Sequence, residues 1–262
     1  MRLSLVISSL SAGGAERVIT TLANAWAERN WQVNLVTLDD GSELPFYPLD
    51  QRVNHQALSL SQASTNVFSG LRNNLHRIRV LRQVISANQP DVVISFMATT
   101  NIRTLIATRG LNVPVIISER INPAFALQSS IWKLGRSLVY QWASMIVAQT
   151  EREAESYQSS LQAKVRVIPN PIDPGLRRDQ KLVRVSEKKI LAVGRLERQK
   201  GFDLLLCAFA KLQQKHPEWS LTILGEGRER VALERLIHEL GIQDRVSLSG
   251  RSREIVEELA QA

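Results

Sequence analysis

Residues 193–202 read VGRLERQKGF and follow an apolar run, Ile190–Val193, of the kind that forms a buried strand. An amphipathic helix is predicted directly after them, over residues 203–216. A glycine at the end of a strand lets the backbone turn, and a helix start offers unpaired N–H groups and a positive dipole end. Arg195 and Lys200 add full positive charges at this place, so the stretch predicts a binding site for a phosphate or pyrophosphate.

The rest of the chain alternates apolar strands with amphipathic helices. Strands are predicted at residues 3–10, 32–38, 52–60, 92–96, 113–118, 145–148, 164–168, 190–193, 220–224 and 245–248. Helices with apolar residues at helical spacing are predicted at residues 16–29, 66–88, 131–143, 203–216, 229–240 and 253–260. Fully apolar strands separated by helices indicate parallel sheets that are covered on both faces.

A proline-rich segment divides this pattern. Residues 169–175 (PNPIDPG) contain three prolines, which exclude a helix, and the charged residues 177–189 continue the break. We therefore predict an α/β protein with two Rossmann-like, doubly wound parallel-sheet domains, residues 1–171 and 172–262. Three strands are few for the second domain, since a sheet usually has about five or six. The second domain is therefore expected to be incomplete in this chain.

The composition restricts the class of partner. Net charge is +8 at pH 7, which implies acidic partners such as phosphorylated substrates or anionic lipid. Aromatic residues make up only 5%, and no helix-turn-helix, zinc-finger or RNA-binding pattern occurs, so nucleic acid is not an expected partner. No apolar stretch approaches the ~18–20 residues that span a bilayer, and the single cysteine, Cys207, is predicted to be a small core residue. We predict a soluble, cytoplasmic protein.

Two further glycine turns join a strand to a helix. Residues 11–17 (SAGGAER) follow the first strand, and residues 224–228 (LGEGR) follow a strand of the second domain. The dinucleotide fingerprint G-x-G-x-x-G is not met, which disfavours a nicotinamide-dependent oxidoreductase. In the second domain, the Arg195 loop, the LGEGR loop and Gly250–Arg251 all follow strands. They are expected to gather at the edge of the sheet where such folds bind ligands.

Taken together, these motifs resemble the GT-B glycosyltransferases of family 4. The matching residues, in chain order, are Gly13–Glu16, Pro169–Asp173, Val193–Arg195, Lys200–Gly201 and Leu224–Gly227. Ile117–Pro123 (ISERINP) and Gln149–Glu151 (QTE) are similar to the bacterial exopolysaccharide and O-antigen members, of the amylovoran type. The resemblance implies two Rossmann-like domains facing across a cleft, with the nucleotide-sugar on the second domain and the acceptor on the first.

The resemblance also implies an activity. It is the transfer of a hexose, with retention of anomeric configuration, from a UDP- or GDP-sugar to a polyprenyl-linked saccharide during cell-surface polysaccharide synthesis. No metal and no cofactor are expected. Arg195 and Lys200 would contact the donor diphosphate, and Gly14 would bring its backbone N–H to the same phosphates. The residues placed near the donor nucleoside are Gly225, Glu226 and Arg251.

One residue of the first domain is a catalytic candidate by the same resemblance. Glu119 would end the strand facing the donor sugar, where it could orient the acceptor hydroxyl or stabilise positive charge at the anomeric carbon. An ion pair with Arg120 is the alternative role for Glu119.

A departure from the family pattern supports other readings of the whole chain. Family members carry a Glu-x7-Glu element beyond the helix where this chain ends, and Glu254–Glu258 does not have that spacing. The alternative function is therefore a catalytically silent binding protein or gene remnant of the family. A nucleotide-sugar epimerase of related fold is less favoured, because the linker and the loop bearing Arg195 and Lys200 fit the transferase pattern better.

The helix predicted at residues 66–88 carries a basic face formed by Arg72, Arg79 and Arg82. Its apolar face is predicted to pack inward and consists of Leu71, Leu75, Ile78 and Ile85. The basic face is either the solvated side of a core helix or a contact with an anionic membrane, where each cation contributes about 1 kcal/mol. In the second case the protein would be peripheral, on the inner face of the plasma membrane.

Overall fold

A computed structural model of the chain describes residues 1–60, 67–120, 130–172 and 188–262. Backbone contacts divide the chain into two compact units, Met1–Pro171 and Ile172–Ala262. Both are α/β units with parallel sheets, which confirms the predicted fold class. Of the sequence motifs, residues 121–123 and most of the predicted linker, residues 173–187, lie outside the described residues.

The first unit is built on a seven-stranded parallel sheet. Its strands are β1 (Arg2–Ile7), β2 (Gln32–Thr37), β3 (Asn54–Ala57), β4 (Val92–Phe96), β5 (Val115–Ser118), β6 (Met145–Ala148) and β7 (Val165–Val167). They lie in the order β3-β2-β1-β4-β5-β6-β7. The helices are α1 (Gly14–Glu28), α2 (Val67–Asn88), α3 (Ala98–Ala107), α4 (Ser130–Val139) and α5 (Glu151–Glu155). The strand order reverses next to β1, as it does in doubly wound folds.

Two hydrophobic clusters cover the two faces of this sheet, and β1 contributes to both because successive side chains of a strand point to opposite faces. Leu5 and Ile7 are fully buried in a cluster with Val18 and Ile19 of α1. Val6 belongs to the other cluster, together with side chains of α2, α3 and α4. Burial on both faces explains why β1 is a continuous apolar run rather than an alternating one.

The inward face of α2 differs from the prediction. Leu81 and Ile85 are fully buried, but Leu71 is 62% exposed and Leu75 is 46% exposed. The prediction that Leu71 and Leu75 pack inward is therefore wrong. Helical spacing identifies an apolar stripe, but only the C-terminal half of this stripe reaches the core cluster.

The basic face of α2 is also divided. Arg72 and Arg79 are exposed. Arg82 instead donates from Nη1 to the backbone carbonyls of Ala107 and Arg109, at 2.8 and 2.7 Å, and so pairs polar groups at the end of α3. Cations bonded to carbonyls at the C-terminus of a helix stabilise it, so Arg82 has a structural role that the sequence pattern did not separate from the other two arginines.

The second unit has three parallel strands in the order β10-β9-β8. The strands are β8 (Lys189–Val193), β9 (Ser220–Leu224) and β10 (Val246–Gly250), and the helices are α6 (Phe202–Lys215), α7 (Arg230–Glu239) and α8 (Ile255–Ala260). Its core contains the inward side chains of α6, Phe202, Leu206 and Phe209, with residues of β9 and α7. Cys207 is exposed, so its predicted core position is wrong: it follows Leu206 and lies about 100° further around the helix.

No helix in the described part of the chain combines the length and apolar composition that are needed to cross a membrane.

Candidate functional site

The three loops that follow β8, β9 and β10 are joined by backbone hydrogen bonds at one edge of the second unit's sheet. The Gly194 N–H donates to Leu224 O at 2.9 Å, and the Leu196 N–H donates to Glu226 O at 3.0 Å. The N–H of Gly225 donates to Gly250 O at 2.6 Å. The loops that the sequence placed at a common edge therefore do meet there, and the bonds fix their backbones relative to one another.

Glycine is required in the LGEGR loop because two backbones approach closely. A Cβ on Gly225 would overlap the carbonyl oxygen of Gly194, and a Cβ on Gly227 would overlap the backbone of Leu196. No flexible side chain stands at either contact, so neither clash could be relieved by a rotamer change. The two glycines are thus explained by the joining of adjacent loops.

Arg195 and Lys200 are both exposed at this edge. Lys200 ends a short 3₁₀ turn, Arg198–Lys200. Its side chain passes beside Gly194: a Cβ added to Gly194 would lie 3.6 Å from Lys200 Cδ. Gly201 follows with φ 66°, a left-handed conformation that glycine adopts without steric cost, and α6 begins after it. Gly201 has no side chain that could cap α6, so no side chain of this residue occupies the positive end of the helix. That helix end and the two cations follow shortly after the end of β8.

The residues predicted near the nucleoside have different environments. Both carboxylate oxygens of Glu226 accept from Arg230, at 2.5 Å from Nη2 and 2.8 Å from Nε. This hydrogen bond, followed by the charges of Arg230 and Arg251, lowers the pKa of Glu226. Arg230 also donates to Leu248 O at 3.3 Å, which ties α7 to β10. Arg251 is exposed, and the nucleoside contacts of Gly225, Glu226 and Arg251 stay predictions.

In the first unit, the Gly-Gly turn lies between β1 and α1. Gly13 is the N-cap residue of α1 and provides no side-chain cap. A Cβ on Gly14 would meet no atom within 4 Å, so the space beside this backbone is open. An open, uncapped helix start suits the predicted contact of the Gly14 N–H with a phosphate, which stays a prediction.

Glu119 directly follows β5 and is 1% exposed. Its Oε1 accepts from Arg136 Nε at 2.8 Å and from Tyr140 Oη at 2.5 Å. Its Oε2 accepts from Arg136 Nη2 at 3.1 Å and from Tyr157 Oη at 3.3 Å. The predicted ion pair with Arg120 is therefore wrong, since the partner is Arg136. A carboxylate that is buried and bonded at both oxygens is better suited to positioning its neighbours than to touching a substrate.

The environment of Glu119 extends through further buried groups. Burial, followed by the Glu119 carboxylate, raises the pKa of Tyr140 well above its ordinary value and also raises the pKa of Tyr157. Burial is the largest single effect on the pKa of Arg136 and lowers it. The charge of Glu119, its hydrogen bond to Arg136 and the two tyrosines together outweigh burial, so the pKa is raised. Both tyrosines therefore remain neutral donors and Arg136 remains charged. Asn101 Nδ2 lies 3.5 Å from Tyr140 Oη and donates to Ser118 O of β5, while Asn101 Oδ1 accepts from Ser95 Oγ of β4. Asn101 thus connects the cluster to both strands.

Arg120 contacts residues other than those of this cluster. Its guanidinium carbon lies 4.4 Å from the ring centroid of Phe96, and its Nη1 donates to Asn170 Oδ1. Asn170 in turn donates to Gln149 Oε1 at 2.7 Å. Loops after β5, β6 and β7 are thereby joined by side chains, in contrast to the backbone joining in the second unit.

Sequence reasoning missed two sets of residues at these places. The sequence gives only a weak signal for Arg136, Tyr140 and Tyr157. Their spacing does not show that they contact a carboxylate at the end of a distant strand. Arg230 could have been found in part, since Arg230 and Glu234 have the i, i+4 spacing at which opposite charges meet on a helix surface, and Glu226 precedes Arg230 by four residues in the loop before α7.

With this geometry, the chain can be placed among known proteins. The family model for glycosyltransferase family 4 matches residues 12–176, and the model for glycosyl transferases group 1 matches residues 176–262. The chain therefore belongs to the glycosyltransferases of family 4, as the resemblance predicts.

Individual relatives agree with this placement. A Haemophilus influenzae protein described as an uncharacterized glycosyltransferase is 30% identical over 94% of this chain and 67% of its own length. A Campylobacter jejuni enzyme is 30% identical over 93% of this chain and 66% of its own length; it is an alpha-1,4-N-acetyl-D-galactosaminyltransferase acting on a diphospho-undecaprenol-linked saccharide. The amylovoran biosynthesis glycosyltransferase AmsD of Erwinia amylovora is 24% identical over 98% of this chain. The chain thus spans about two thirds of the length of the first two relatives.

Solved structures agree on the fold. Anabaena HepE in complex with UDP-glucose superposes with a TM-score of 0.77 at 17% identity, covering 100% of this chain and 72% of that one. A sucrose-phosphate synthase of Thermosynechococcus elongatus gives a TM-score of 0.79 at 17% identity, covering 100% of this chain and 73% of that one. These likenesses show the GT-B fold.

Proposed function

We propose that the second unit binds the diphosphate of a UDP- or GDP-activated hexose through Arg195 and Lys200. The observation that carries this proposal is the joined set of loops at the ends of β8, β9 and β10, with both cations exposed beside an uncapped helix start. Phosphate oxygens accept well from guanidinium, ammonium and helix N-terminal N–H groups. HepE, a protein of the same fold, has been crystallised with UDP-glucose, which supports a uridine nucleotide as the first donor to test.

The same two cations would assist the chemistry. As the bond between the anomeric carbon and the diphosphate breaks, negative charge grows on the leaving phosphate, and fixed cations stabilise it more in that state than before. In this mechanism the protein supplies the charge with Arg195 and Lys200 and needs no metal. Transfer with retention of anomeric configuration is part of the proposal and rests on the family membership.

A lipid-linked saccharide is the proposed acceptor. Two Campylobacter jejuni relatives carry names that specify transfer to saccharides on diphospho-undecaprenol. The exposed side of α2 is compatible with a membrane-bound acceptor, because Leu71 and Leu75 lie beside the exposed cations Arg72 and Arg79. Apolar side chains flanked by cations suit the surface of an anionic bilayer.

Isothermal titration of UDP and of GDP against the whole purified chain tests donor binding. We expect one of the nucleotides to bind, and we expect the double variant Arg195→Ala/Lys200→Ala to lose that binding. A matched control is Lys211→Ala, which removes an exposed cation of α6 away from its start and should leave the affinity unchanged.

Each result has a definite meaning. Binding that survives in the double variant would contradict the proposed diphosphate site. Binding that is lost equally in Lys211→Ala would show a general effect of net charge, which salt screens. Absence of binding in the wild-type chain would contradict the proposal for this chain and leave only its family membership.

A further inference from the structure

The outward side of α4 carries a row of large apolar side chains. Leu134 is 61% exposed and Leu138 is 58% exposed, and their spacing of four residues places them on one side of the helix. Trp142 follows after four more residues, in the 3₁₀ turn that continues α4, and is 41% exposed. The opposite side of α4 packs inward, where Val139 is buried. Burial in the first unit therefore does not explain the apolar row of Leu134, Leu138 and Trp142.

α4 belongs to a layer of three helices on one face of the seven-stranded sheet. Side chains of α2, α3 and α4 all contribute to the core cluster on that face. Arg103 of α3 contacts both neighbouring helices: its Nε donates to Asn74 Oδ1 of α2 at 3.0 Å, and its guanidinium carbon lies 5.0 Å from the ring centroid of Trp132 of α4. The layer thus presents exposed leucines on two helices, since Leu71 and Leu75 of α2 are also exposed.

The helices of this layer also share an unusual charge pattern. Within their bounds, α2, α3 and α4 contain arginine and lysine but not one aspartate or glutamate. Every other α-helix in the described part of the chain contains at least one acidic residue. The cations of the layer are Arg72, Arg77, Arg79, Arg82, Arg103, Lys133 and Arg136. With no carboxylates on the same helices, this layer complements a negatively charged partner.

Trp142 has a cation beside it. The guanidinium carbon of Arg109, directly after α3, lies 5.0 Å from the ring centroid of Trp142, and Arg109 is itself exposed. An indole has an apolar ring and a polar N–H, which suits the boundary between lipid headgroups and acyl chains. A guanidinium next to the ring can remain among anionic headgroups while the ring enters the boundary.

An anionic bilayer is the partner that matches both the apolar row and the charge. Exposed apolar side chains flanked by cations favour a helix that lies in the plane of the bilayer surface. A second copy of the chain would bring two cationic layers together, which is unfavourable. Nucleic acid would attract the cations but would leave Leu134 and Leu138 without an apolar contact.

We propose that the layer of α2, α3 and α4 lies flat on an anionic bilayer, with Leu134, Leu138 and Trp142 inserted into its surface. The inference rests on the proposed function, because a lipid-linked acceptor is presented at such a surface. It extends the membrane contact from the exposed side of α2 to α4 and assigns the insertion to the apolar row of α4.

Quenching of tryptophan fluorescence by brominated lipid tests the insertion on the whole chain. Trp142 is exposed, whereas the other tryptophans are half-buried: Trp26, Trp31, Trp132 and Trp219. Vesicles of phosphatidylglycerol and phosphatidylcholine with brominated acyl chains should quench the wild-type emission. Trp142→Phe should remove most of this quenching. It should leave sedimentation with the vesicles nearly unchanged, since phenylalanine keeps an aromatic ring at the position.

Sedimentation with the same vesicles tests the leucines. Leu134→Ser/Leu138→Ser should weaken binding about tenfold or more, because each leucine removed from water contributes about tenfold when it is fully buried. Leu44→Ser/Val231→Ser is the matched control. It changes two apolar side chains that are 86% and 67% exposed outside the layer and should bind as the wild-type chain does. An unchanged melting temperature shows that each variant is folded.

Three results would overturn the inference. One is a wild-type emission that brominated lipid does not quench, or quenching that persists undiminished in Trp142→Phe. Another is vesicle binding that is unchanged in Leu134→Ser/Leu138→Ser, which would restrict any membrane contact to α2. The third is self-association without lipid, seen by sedimentation equilibrium and lost in Leu134→Ser/Leu138→Ser, which would assign the apolar row to a second copy.

The test is independent of the donor proposal, because the vesicles contain neither saccharide nor nucleotide. UDP titration of the same variants should give the wild-type affinity, since the proposed diphosphate site belongs to the second unit. Quenching through Trp142 in a chain that does not bind UDP would support the membrane contact and contradict the donor proposal. UDP binding without quenching would do the reverse.

Discussion

Arg136 holds Glu119 through two parallel hydrogen bonds, from Nε to Oε1 at 2.8 Å and from Nη2 to Oε2 at 3.1 Å. This bidentate pair ties the end of β5 to α4, and the rings of Tyr140 and Tyr157 lie 5.2 and 4.9 Å from the Arg136 guanidinium carbon. A planar guanidinium matched to a carboxylate fixes both distance and orientation. Glu119 therefore determines where the chain leaves β5, immediately before Arg120.

Removing the carboxylate should destabilise the first unit strongly. In Glu119→Ala, Arg136 would lose its partner while remaining largely buried, and we expect the free energy of unfolding to fall by about 3–5 kcal/mol. Urea unfolding followed by tryptophan fluorescence measures this loss. Glu155→Ala, at an exposed position, should change stability by no more than about 0.5 kcal/mol. A loss of about 1 kcal/mol or less in Glu119→Ala would contradict the structural role and return Glu119 to the catalytic candidates.

Adding a methyl group at Gly225 should disturb the joined loops of the second unit. The Cβ of Gly225→Ala would overlap the Gly194 carbonyl, so the loops must separate, at a cost of about 1–3 kcal/mol, and the placement of Arg195 must change. We expect both a lower free energy of unfolding and weaker UDP binding by titration.

Gly241→Ala is the control for this substitution. Gly241 has φ 68°, and a Cβ there would meet no atom within 4 Å, so alanine should cost about 1 kcal/mol of backbone strain alone. UDP binding should be unaffected in this variant. If Gly225→Ala and Gly241→Ala reduced UDP binding equally, joining of the loops would not be what positions the cations.

The pKa of Glu153 predicts a pH dependence with a defined sign. Burial raises this pKa above its value in the unfolded chain. At pH values between the unfolded and the folded pKa, the folded state therefore binds more protons than the unfolded state. The contribution of Glu153 to stability is therefore fully favourable below the unfolded pKa and decreases as pH rises through the folded pKa. Glu153→Gln cannot titrate, so its stability relative to the wild-type chain should improve as pH rises from about 4 to 7.

Urea unfolding of both proteins at several pH values in this range measures the difference. The substitution also alters the hydrogen bond to the Gln149 N–H, so the difference in unfolding free energy at a single pH is not informative. The test is how this difference changes as the pH is raised. A difference that stays constant, or that moves the other way, would show that Glu153 has no raised pKa in the folded chain.

The fold could be predicted from local patterns to a large extent. Continuous apolar runs located β6 and β9 at their observed bounds, and helical spacing located α2 to within one residue. These patterns depend on burial of a face, which a short stretch of sequence records directly. The meeting of the three loops in the second unit followed from the rule that parallel strands end at one edge.

The partners of buried polar groups could not be predicted in the same way. Glu119 and Tyr157 are 38 positions apart, and only the packing of α4 and the residues after α5 brings them together. The adjacent Arg120 was the natural candidate by position, but neighbouring residues leave a strand in opposite directions, so it faces Phe96 instead. Helical spacing likewise located the apolar stripe of α2. It did not show that Leu71 and Leu75 lie on the part of the helix that is not packed against the core.

The exposed side of α2 predicts membrane binding that depends on both apolar and basic residues. Sedimentation with vesicles of phosphatidylglycerol and phosphatidylcholine should carry the chain down, and vesicles of phosphatidylcholine alone should do so less. Leu71→Ser/Leu75→Ser removes the apolar contribution, and Arg72→Gln/Arg79→Gln should lower binding by about 1 kcal/mol per cation, mainly at low salt. Val231→Ser/Arg235→Gln, an exposed apolar and basic pair on α7, is the matched control and should bind as the wild-type chain does. Equal binding by all these variants would mean that α2 is simply the solvated side of the first unit, and that the net charge of +8 acts without a defined surface.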